Sequence, residues 1–228
     1  MLTEAERAAV WLSLEVARRG VLLSLPFAIA CAWVLARKEF WGKTFIDGLV
    51  HLPLVLPPVV VGYLLLLSFG VRGPVGSLLY EWFGIRLVFT AAGASLATAV
   101  MAFPLFVRAI RLSIESIDQG MEDAARTLGA GPVDRFFTIT LPLMAPGILA
   151  GAMIAFAAGL GEFGAVITFV SNIPGETQTL PLAIYSATQT PGGEVTAARL
   201  ASLSFALALG GLIASEVIAR RLKRRFGP

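Results

Sequence analysis

The segment DAARTLGAGPVDRFFTITLP, residues 123–142, lies between two long apolar runs. It is rich in Ala and Gly, it is interrupted by Gly131 and Pro132, and it carries two aspartates and two arginines. A short polar segment in this position predicts helical pieces that lie outside the apolar surroundings of the neighbouring runs. We refer to residues 116–142 as the elbow.

The composition of the chain indicates what those surroundings are. Of the 228 residues, 57% are hydrophobic and only 14% are charged, which is too little charge for the surface of a soluble domain of this size. The chain is therefore predicted to be a membrane protein with one domain, residues 1–228. The single cysteine, Cys31, excludes an internal disulfide and a cysteine metal cluster. The first ten residues lack the basic region of a cleavable signal peptide, which predicts that the first apolar run is retained.

The apolar runs predict an all-α integral membrane fold. A bilayer core of about 30 Å is crossed by about 20 apolar residues in a helix. Five stretches meet this length, and we predict five transmembrane helices at about 9–36, 46–69, 87–110, 138–165 and 197–220. The segment 171–197 holds a short apolar stretch at 180–187 that is too short to span, which predicts a short helix or a re-entrant piece.

The distribution of basic residues predicts the orientation, because cytoplasmic loops carry an excess of Lys and Arg. Twelve of the 18 basic residues fall on one side of the predicted spans: Arg37, Lys38, Lys43, Arg108, Arg111, Arg126, Arg135, Arg220, Arg221, Lys223, Arg224 and Arg225. The N-terminus is then outside, the C-terminus is inside, and the loop 113–137 is cytoplasmic. The basic tail is interpreted as a stop-transfer anchor, so no nucleic-acid partner is expected.

The elbow has the pattern of two short helices joined at a glycine. Ser116-x-x-Gln119 matches a capping box, and Pro132 suits the first position of a second helix. Gly129 suits the left-handed position after a helix. An apolar stripe over 116–128 consists of Ile117, Met121, Ala124, Ala125 and Leu128. An interfacial connector and a protein-docking element both fit these observations.

The elbow also resembles a known motif. Asp123-Ala-Ala, then Gly129 after three residues, then Ile139-x-Leu141-Pro142 after nine more, is similar to the EAA loop of ABC-importer permeases, with Asp where Glu is usual. In that family the loop is a coupling helix that sits in a cleft of a separate ATPase. The resemblance implies an ATPase-coupling set, which is Glu122, Asp123, Ala124, Ala125, Gly129, Ile139, Leu141 and Pro142.

The resemblance extends over most of the chain and becomes narrower. The stretches HLPLVLPPVVVGYLLL (51–66), FPLFVRAIRL (103–112) and LGEFGAVITFVSNIPGET (160–177) are similar to the permease subunits of bacterial molybdate importers. This implies the type I ABC importer (MetI-like) permease fold in the inner membrane, and a pathway for molybdate, or tungstate, built by two copies of the chain. The implied partners are a cytoplasmic ATPase dimer, which holds ATP and Mg, and a periplasmic molybdate-binding protein.

Other functions are weighed against this one. A sulfate, thiosulfate or tungstate importer is the alternative within the class, because the binding protein sets most of the selectivity. A passive channel or scaffold does not account for the coupling motif. An ion-coupled carrier requires charged relays within the spans, and only Glu162 is a candidate for one. No enzymatic motif is found: Gly42-Lys43-Thr44 is not a P-loop, since Arg37 stands where that motif needs glycine. The chain is therefore predicted not to hydrolyse ATP by itself.

Candidate residues for the pathway or its gate lie in the second span and near the end of the fourth. Pro57 and Pro58 break helical hydrogen bonds and predict a kinked, pathway-lining helix. His51 and Tyr63 are polar candidates on the same span, although a structural role is the more common one for residues in such positions. Glu162 is a poor ligand for a dianion, so an outer gate, a subunit contact or an ion pair with an outward arginine is expected.

Gly147-x-x-x-Gly151 in the fourth span is a small-residue motif for close helix contact. Packing within the chain and a dimer seam both fit it.

Overall fold

The computed structural model describes residues 2–226, except for the side chains of 119, 212, 214–216 and 218–226, and the described part contains helices and no strands. The helices are α1 (Glu4–Arg37), α2 (Lys43–Val55), α3 (Pro58–Phe69), α4 (Pro74–Phe83), α5 (Ala91–Glu115), α6 (Gln119–Thr127), α7 (Pro132–Arg135), a π-helical turn (Phe136–Thr140), α8 (Leu141–Leu160), α9 (Gly164–Val170), α10 (Leu180–Thr188) and α11 (Glu194–Phe226).

Helix α5 is the centre of the fold and packs against both α1 and α8. Small residues permit this close contact. A Cβ added at Gly147 would lie 2.2 Å from the Cβ of Ser113, and one at Gly151 would lie 2.7 Å from the ring of Phe106. Both glycines of the predicted small-residue motif therefore pack inside the chain against α5, and they do not form a dimer seam.

Three helical segments of the described residues are long and apolar enough to cross a membrane, namely Glu4–Arg37, Ala91–Glu115 and Pro132–Leu160. The bent pair α2 and α3 is a fourth if it is counted as one span. The fifth predicted span, 197–220, lies within α11, and many of its side chains are outside the described part. The positions of the membrane boundaries and the orientation stay predictions.

The second predicted span is not the single kinked helix that its apolar composition suggested. Helix α2 ends at Val55, α3 begins at Pro58, and their axes differ by 113°. Leu56 and Pro57 each precede a proline and are extended, with ψ of 143° and 134°. A proline forces the preceding residue out of the helical region, so two successive prolines separate the helix into two.

The fourth span begins and ends at residues different from those predicted. It begins at Pro132 and passes through the π-helical turn before α8. In that turn the Leu141 N–H donates to the Phe136 carbonyl, five residues back. Pro142 follows, and a wider turn relieves the clash between its ring and the carbonyl four residues back. The helix ends at Leu160, and an irregular segment, 161–163, precedes α9.

At the end of the bundle away from the elbow, α1, α10 and α11 are joined by polar contacts. Glu6 of α1 is buried and accepts hydrogen bonds from Arg199 of α11. The Ser13 hydroxyl accepts a hydrogen bond from the Leu180 N–H, with 2.6 Å between the oxygen and the nitrogen. The predicted short helix at 180–187 is confirmed as α10, and its start is held against α1 by this bond.

Candidate functional site

The elbow begins at a different residue from the one that its sequence pattern indicated. The carboxylate of Asp118 accepts a hydrogen bond from the Gly120 N–H at 2.8 Å and caps α6. The predicted capping box at Ser116 is wrong, because α5 continues to Glu115 and leaves Ser116 in a helical conformation. An N-cap residue needs an extended backbone, which Asp118 has, with ψ of 119°.

The end of α6 is a glycine-terminated helix of the Schellman type. Gly129 has φ of +89°, as predicted for a left-handed position. Its N–H donates to the Arg126 carbonyl, and the Ala130 N–H donates to the Ala125 carbonyl at 3.0 Å. These two bonds satisfy carbonyls that the helix end leaves free, and they set the direction in which the chain turns towards α7.

Helix α6 presents its apolar residues outward rather than towards its own chain. Leu128 is 88% exposed, Val133 of α7 is 69% exposed, and Met121 and Ala124 are exposed as well. Of the predicted apolar stripe only Ile117, which precedes α6, is buried. An amphipathic helix normally buries its apolar face. The exposed apolar side of the elbow therefore lacks a covering surface within the described residues.

The inward contact of α6 is polar and is made by Glu122. One of its carboxylate oxygens accepts hydrogen bonds from Arg37 at 3.1 Å and from the Thr140 hydroxyl at 2.9 Å. Arg37 lies at the end of α1, and its side chain is only 10% exposed. Glu122 thus joins the elbow to α1 and to the π-helical turn, which explains why the side of α6 that carries Glu122 faces the protein.

Asp123, the residue at the acidic position of the motif, points away from the protein, unlike Glu122. Its side chain is 62% exposed and lies 3.3 Å from Arg126 in a surface ion pair. In the rest of the predicted coupling set, Ala125, Ile139 and Leu141 are partly buried, whereas Gly129 and Pro142 are exposed. Of the two neighbouring carboxylates of the elbow, Glu122 therefore holds the structure together and Asp123 faces outward.

This difference leads to a prediction about stability. Replacing Glu122 by alanine leaves the nearly buried Arg37 without its carboxylate, and we expect a loss of about 2 kcal/mol in the free energy of unfolding. Replacing Asp123 by alanine removes an exposed pair and should change stability by less than about 0.5 kcal/mol. The measurement is thermal unfolding of the purified, detergent-solubilised protein. Equal midpoints for the two variants would contradict the structural role of Glu122.

The break between α2 and α3 lies against the break between α8 and α9. A Cβ added at Gly164, where α9 begins, would lie 2.8 Å from the Cβ of Pro58, where α3 begins. Further along the same pair, a Cβ on Gly62 would lie 2.6 Å from the Ala165 carbonyl oxygen. Irregular backbone at membrane depth is tolerated where protein or a water-filled cavity covers it. This junction of α3 and α9 is the candidate gate region.

Glu162 caps α9 in this junction. One of its carboxylate oxygens accepts a hydrogen bond from the Ala165 N–H at 2.8 Å. Among the side chains that the structure describes, no cation lies within ion-pair distance of it. The expected ion pair with an outward arginine is therefore not formed among the described side chains, and roles at a gate or a subunit contact stay predictions.

His51 and Tyr63 lie apart from Glu162. His51 Nδ1 is 2.8 Å from the Asp47 carbonyl oxygen, and Asp47 pairs with Arg111 of α5 at 3.1 Å. These contacts join α2 to α5, whereas Pro58 joins α3 to α9. Tyr63 on α3 is 53% exposed. The pathway candidates thus fall in two places, and the structure does not bring His51 and Glu162 into one site.

Sequence reasoning missed the basic partners of these carboxylates. Arg37 and Arg111 were counted only as indicators of orientation, although each pairs with an acidic residue far along the chain. Their position at the ends of apolar runs was the available signal. In the described part, no three His, Cys, Asp or Glu side chains are grouped so that they could hold a metal ion.

Comparison with known proteins gives one family and several relatives. Residues 24–226 match the family described as "Binding-protein-dependent transport system inner membrane component". The chain is 60% identical to the "Molybdenum transport system permease protein ModB" of Escherichia coli (strain K12) over 227 residues, which cover 100% of the chain and 99% of that protein. The protein of the same name from Haemophilus influenzae is 57% identical over 222 residues, which cover 97% of this chain and 97% of that protein.

More distant similarities include a protein named for another oxyanion and a solved structure. The "Sulfate permease 2, chloroplastic" of Chlamydomonas reinhardtii is 41% identical over 90% of the chain and 55% of that protein. The crystal structure of a bacterial ABC transporter involved in the import of the acidic polysaccharide alginate contains a chain with the same fold. The TM-score is 0.77 at 19% identity, over 96% of this chain and 80% of the other.

Proposed function

Because the chain belongs to the family of binding-protein-dependent transport system inner membrane components, we propose that it forms the translocation pathway of an ATP-driven molybdate importer. It is a transporter component rather than an enzyme, and the ATPase is a separate chain. The near-complete coverage of two molybdenum permeases at 57% and 60% identity supports molybdate as the cargo.

The observation that supports coupling to an ATPase is the exposed apolar side of the elbow. Leu128 and Val133 are held outward by a capped helix and a glycine turn. A protein groove that accepts an amphipathic helix is the natural cover for such a face. We assign this face to a cleft of the ATPase, with the outward Asp123 at its edge.

The elbow is well placed to transmit a movement to the gate region. From Pro132 to Leu160 the chain is one continuous helical rod, and it ends where α9 meets Pro58. When the ATPases close, the two elbows of a dimer approach each other, and each rod carries the displacement to the junction of α3 and α9. The nucleotide state shifts the equilibrium between inward-open and outward-open forms through its different affinity for the two elbow positions.

Two copies of the chain are needed for a closed pathway. Helix α3 leaves Val59, Val60, Tyr63 and Leu64 exposed along one helix, and a second copy would cover part of this surface. We propose a homodimer in the bacterial inner membrane with the elbow in the cytoplasm, which agrees with the excess of basic residues at that end. A periplasmic binding protein delivers the oxyanion to the opposite face.

Sulfate is the second candidate cargo, and the 41% identity to a sulfate permease supports it. Molybdate, tungstate and sulfate share a tetrahedral shape and a double negative charge, so the permease alone separates them poorly. The binding protein supplies the selectivity in this proposal.

The experiment is transport by the reconstituted complex. The chain is co-purified with its partner ATPase, placed in proteoliposomes, and supplied with its binding protein loaded with molybdate, tungstate or sulfate in turn. We expect ATP hydrolysis and uptake to rise with molybdate. If only sulfate raises ATP hydrolysis and uptake, the cargo is sulfate and not molybdate. If no ATPase co-purifies with the chain, the proposal is wrong.

A further inference from the structure

A polar cavity of about 490 Å³ lies between the end of α1 and the elbow. Its lining includes Trp33, Arg37 and Lys38 from the end of α1, and Glu122, Arg135 and Thr140 from the elbow. The volume is far larger than the roughly 30 Å³ that one water occupies in the liquid. The cavity therefore has room for a small anionic group together with part of its hydration shell.

The charges that line this cavity do not cancel. Three carboxylates border it, and each has a cationic partner: Glu39 pairs with Lys43 at 2.6 Å, Glu122 with Arg37, and Asp123 with Arg126. Lys38 and Arg135 also border it, and neither has a carboxylate within ion-pair distance among the described side chains. Two positive charges are thus uncompensated within the described part of the wall.

Two hydrogen-bond donors in the cavity wall also lack an acceptor. The Nε atoms of Arg37 and Arg135 are both buried and have no hydrogen-bond partner in the described structure. The Arg37 side chain is nine-tenths buried, and one of its terminal nitrogens donates to Glu122, while its Nε–H has no acceptor among the described residues. A buried guanidinium donor without an acceptor is costly, so both nitrogens are available to an acceptor that enters the cavity.

The surroundings favour a phosphate-type anion as this acceptor. The Lys38 ammonium lies 5.3 Å from the centre of the Trp33 ring, so an aromatic and a basic side chain stand together at the end of an apolar helix. This combination is typical of the membrane–water interface, and basic pockets between membrane helices bind anionic headgroups. Guanidinium groups bind tetrahedral oxyanions through paired, charge-assisted hydrogen bonds.

We propose that this cavity binds a phosphate group through Arg37, Lys38 and Arg135, either as the headgroup of an anionic lipid or as a free ion. The bound anion bridges α1 to the elbow beside the Glu122 contact. It thereby stabilises the position in which the elbow presents its apolar side outward. This site is separate from the gate region and does not depend on the identity of the cargo.

The test uses the complete transporter and two sources of phosphate. In one arm, native mass spectrometry counts the phosphatidylglycerol and phosphatidylcholine molecules that remain bound. In the other arm, inorganic phosphate is titrated calorimetrically into the transporter in phosphatidylcholine nanodiscs. The variants are Arg135→Gln, Lys38→Gln and the double substitution, and Arg135→Lys keeps the charge. The control is Arg72→Gln, an exposed cation in the loop between α3 and α4.

We expect either phosphatidylglycerol retention or phosphate affinity to fall about tenfold or more in the glutamine variants, since each single substitution removes one charge-assisted contact and the double substitution removes two. Arg135→Lys should retain most of the binding, and Arg72→Gln should retain all of it. The arm that responds identifies the source of the phosphate. Unchanged binding in both arms for the double variant would refute the site. Cross-linking that places an acidic segment of the ATPase in the cavity would also refute the phosphate site.

Discussion

Replacing Leu128 by aspartate is expected to abolish ATP-dependent uptake while the chain still inserts and folds. Leu128 makes little contact with its own chain, because 88% of it is exposed. If it fills a pocket of the ATPase, a charge there is desolvated on docking. The loss of a central interface contact of this kind is about 2 kcal/mol or more, which weakens association about 30-fold.

The measurement is co-purification of the ATPase together with oxyanion uptake in proteoliposomes. Leu128→Met is the matched control, because it keeps the apolar character and the approximate volume. Thermal unfolding of the permease verifies that both variants are folded. If Leu128→Asp binds the ATPase as strongly as the unchanged chain, the assignment of the elbow to the ATPase is wrong.

Replacing Gly62 by valine is expected to disrupt the gate region. The new Cβ would lie 2.6 Å from the Ala165 carbonyl oxygen and 2.9 Å from its Cα, and both atoms belong to the backbone of α9. A backbone cannot move aside as a flexible side chain can, so α3 and α9 must separate. We expect a loss of about 3 kcal/mol in the free energy of unfolding and little residual uptake.

Gly48 provides a matched control for this substitution. It lies inside α2, and a Cβ added there would meet nothing within 4 Å. Gly48→Ala should stabilise the protein slightly, by about 0.5 kcal/mol, because alanine is the better helix former. Thermal unfolding of the three proteins in the same detergent distinguishes crowding from a general effect of removing glycine. An unfolding midpoint for Gly62→Val equal to that of Gly48→Ala would show that the close approach of α3 and α9 is absent in solution.

The features that sequence predicted correctly are those that depend on residues close together in the chain. The helical membrane class followed from the length of the apolar runs. The left-handed turn at Gly129 and the start of a helix at Pro132 followed from the conformations that these two residues favour. The break at Pro57 and Pro58 was expected as a kink, and its size of 113° was not.

Other features were decided by contacts between residues far apart in the chain. The apolar stripe of the elbow fitted an interfacial connector and a docking element alike. The contact of Glu122 with Arg37, 85 residues away, turns the stripe outward. Likewise, the packing of Gly147 against Ser113 and of Gly164 against Pro58 joins separate helices.

The sequence by itself thus determined the helical membrane class, the turn at Gly129, the helix start at Pro132, and which family of permeases the chain resembles. Only the tertiary structure decided which side of the elbow is free to dock and where the two broken helices meet. The physical reason is that backbone preferences act over a few residues. The direction that a helix face takes depends instead on the partners that the whole fold brings to it.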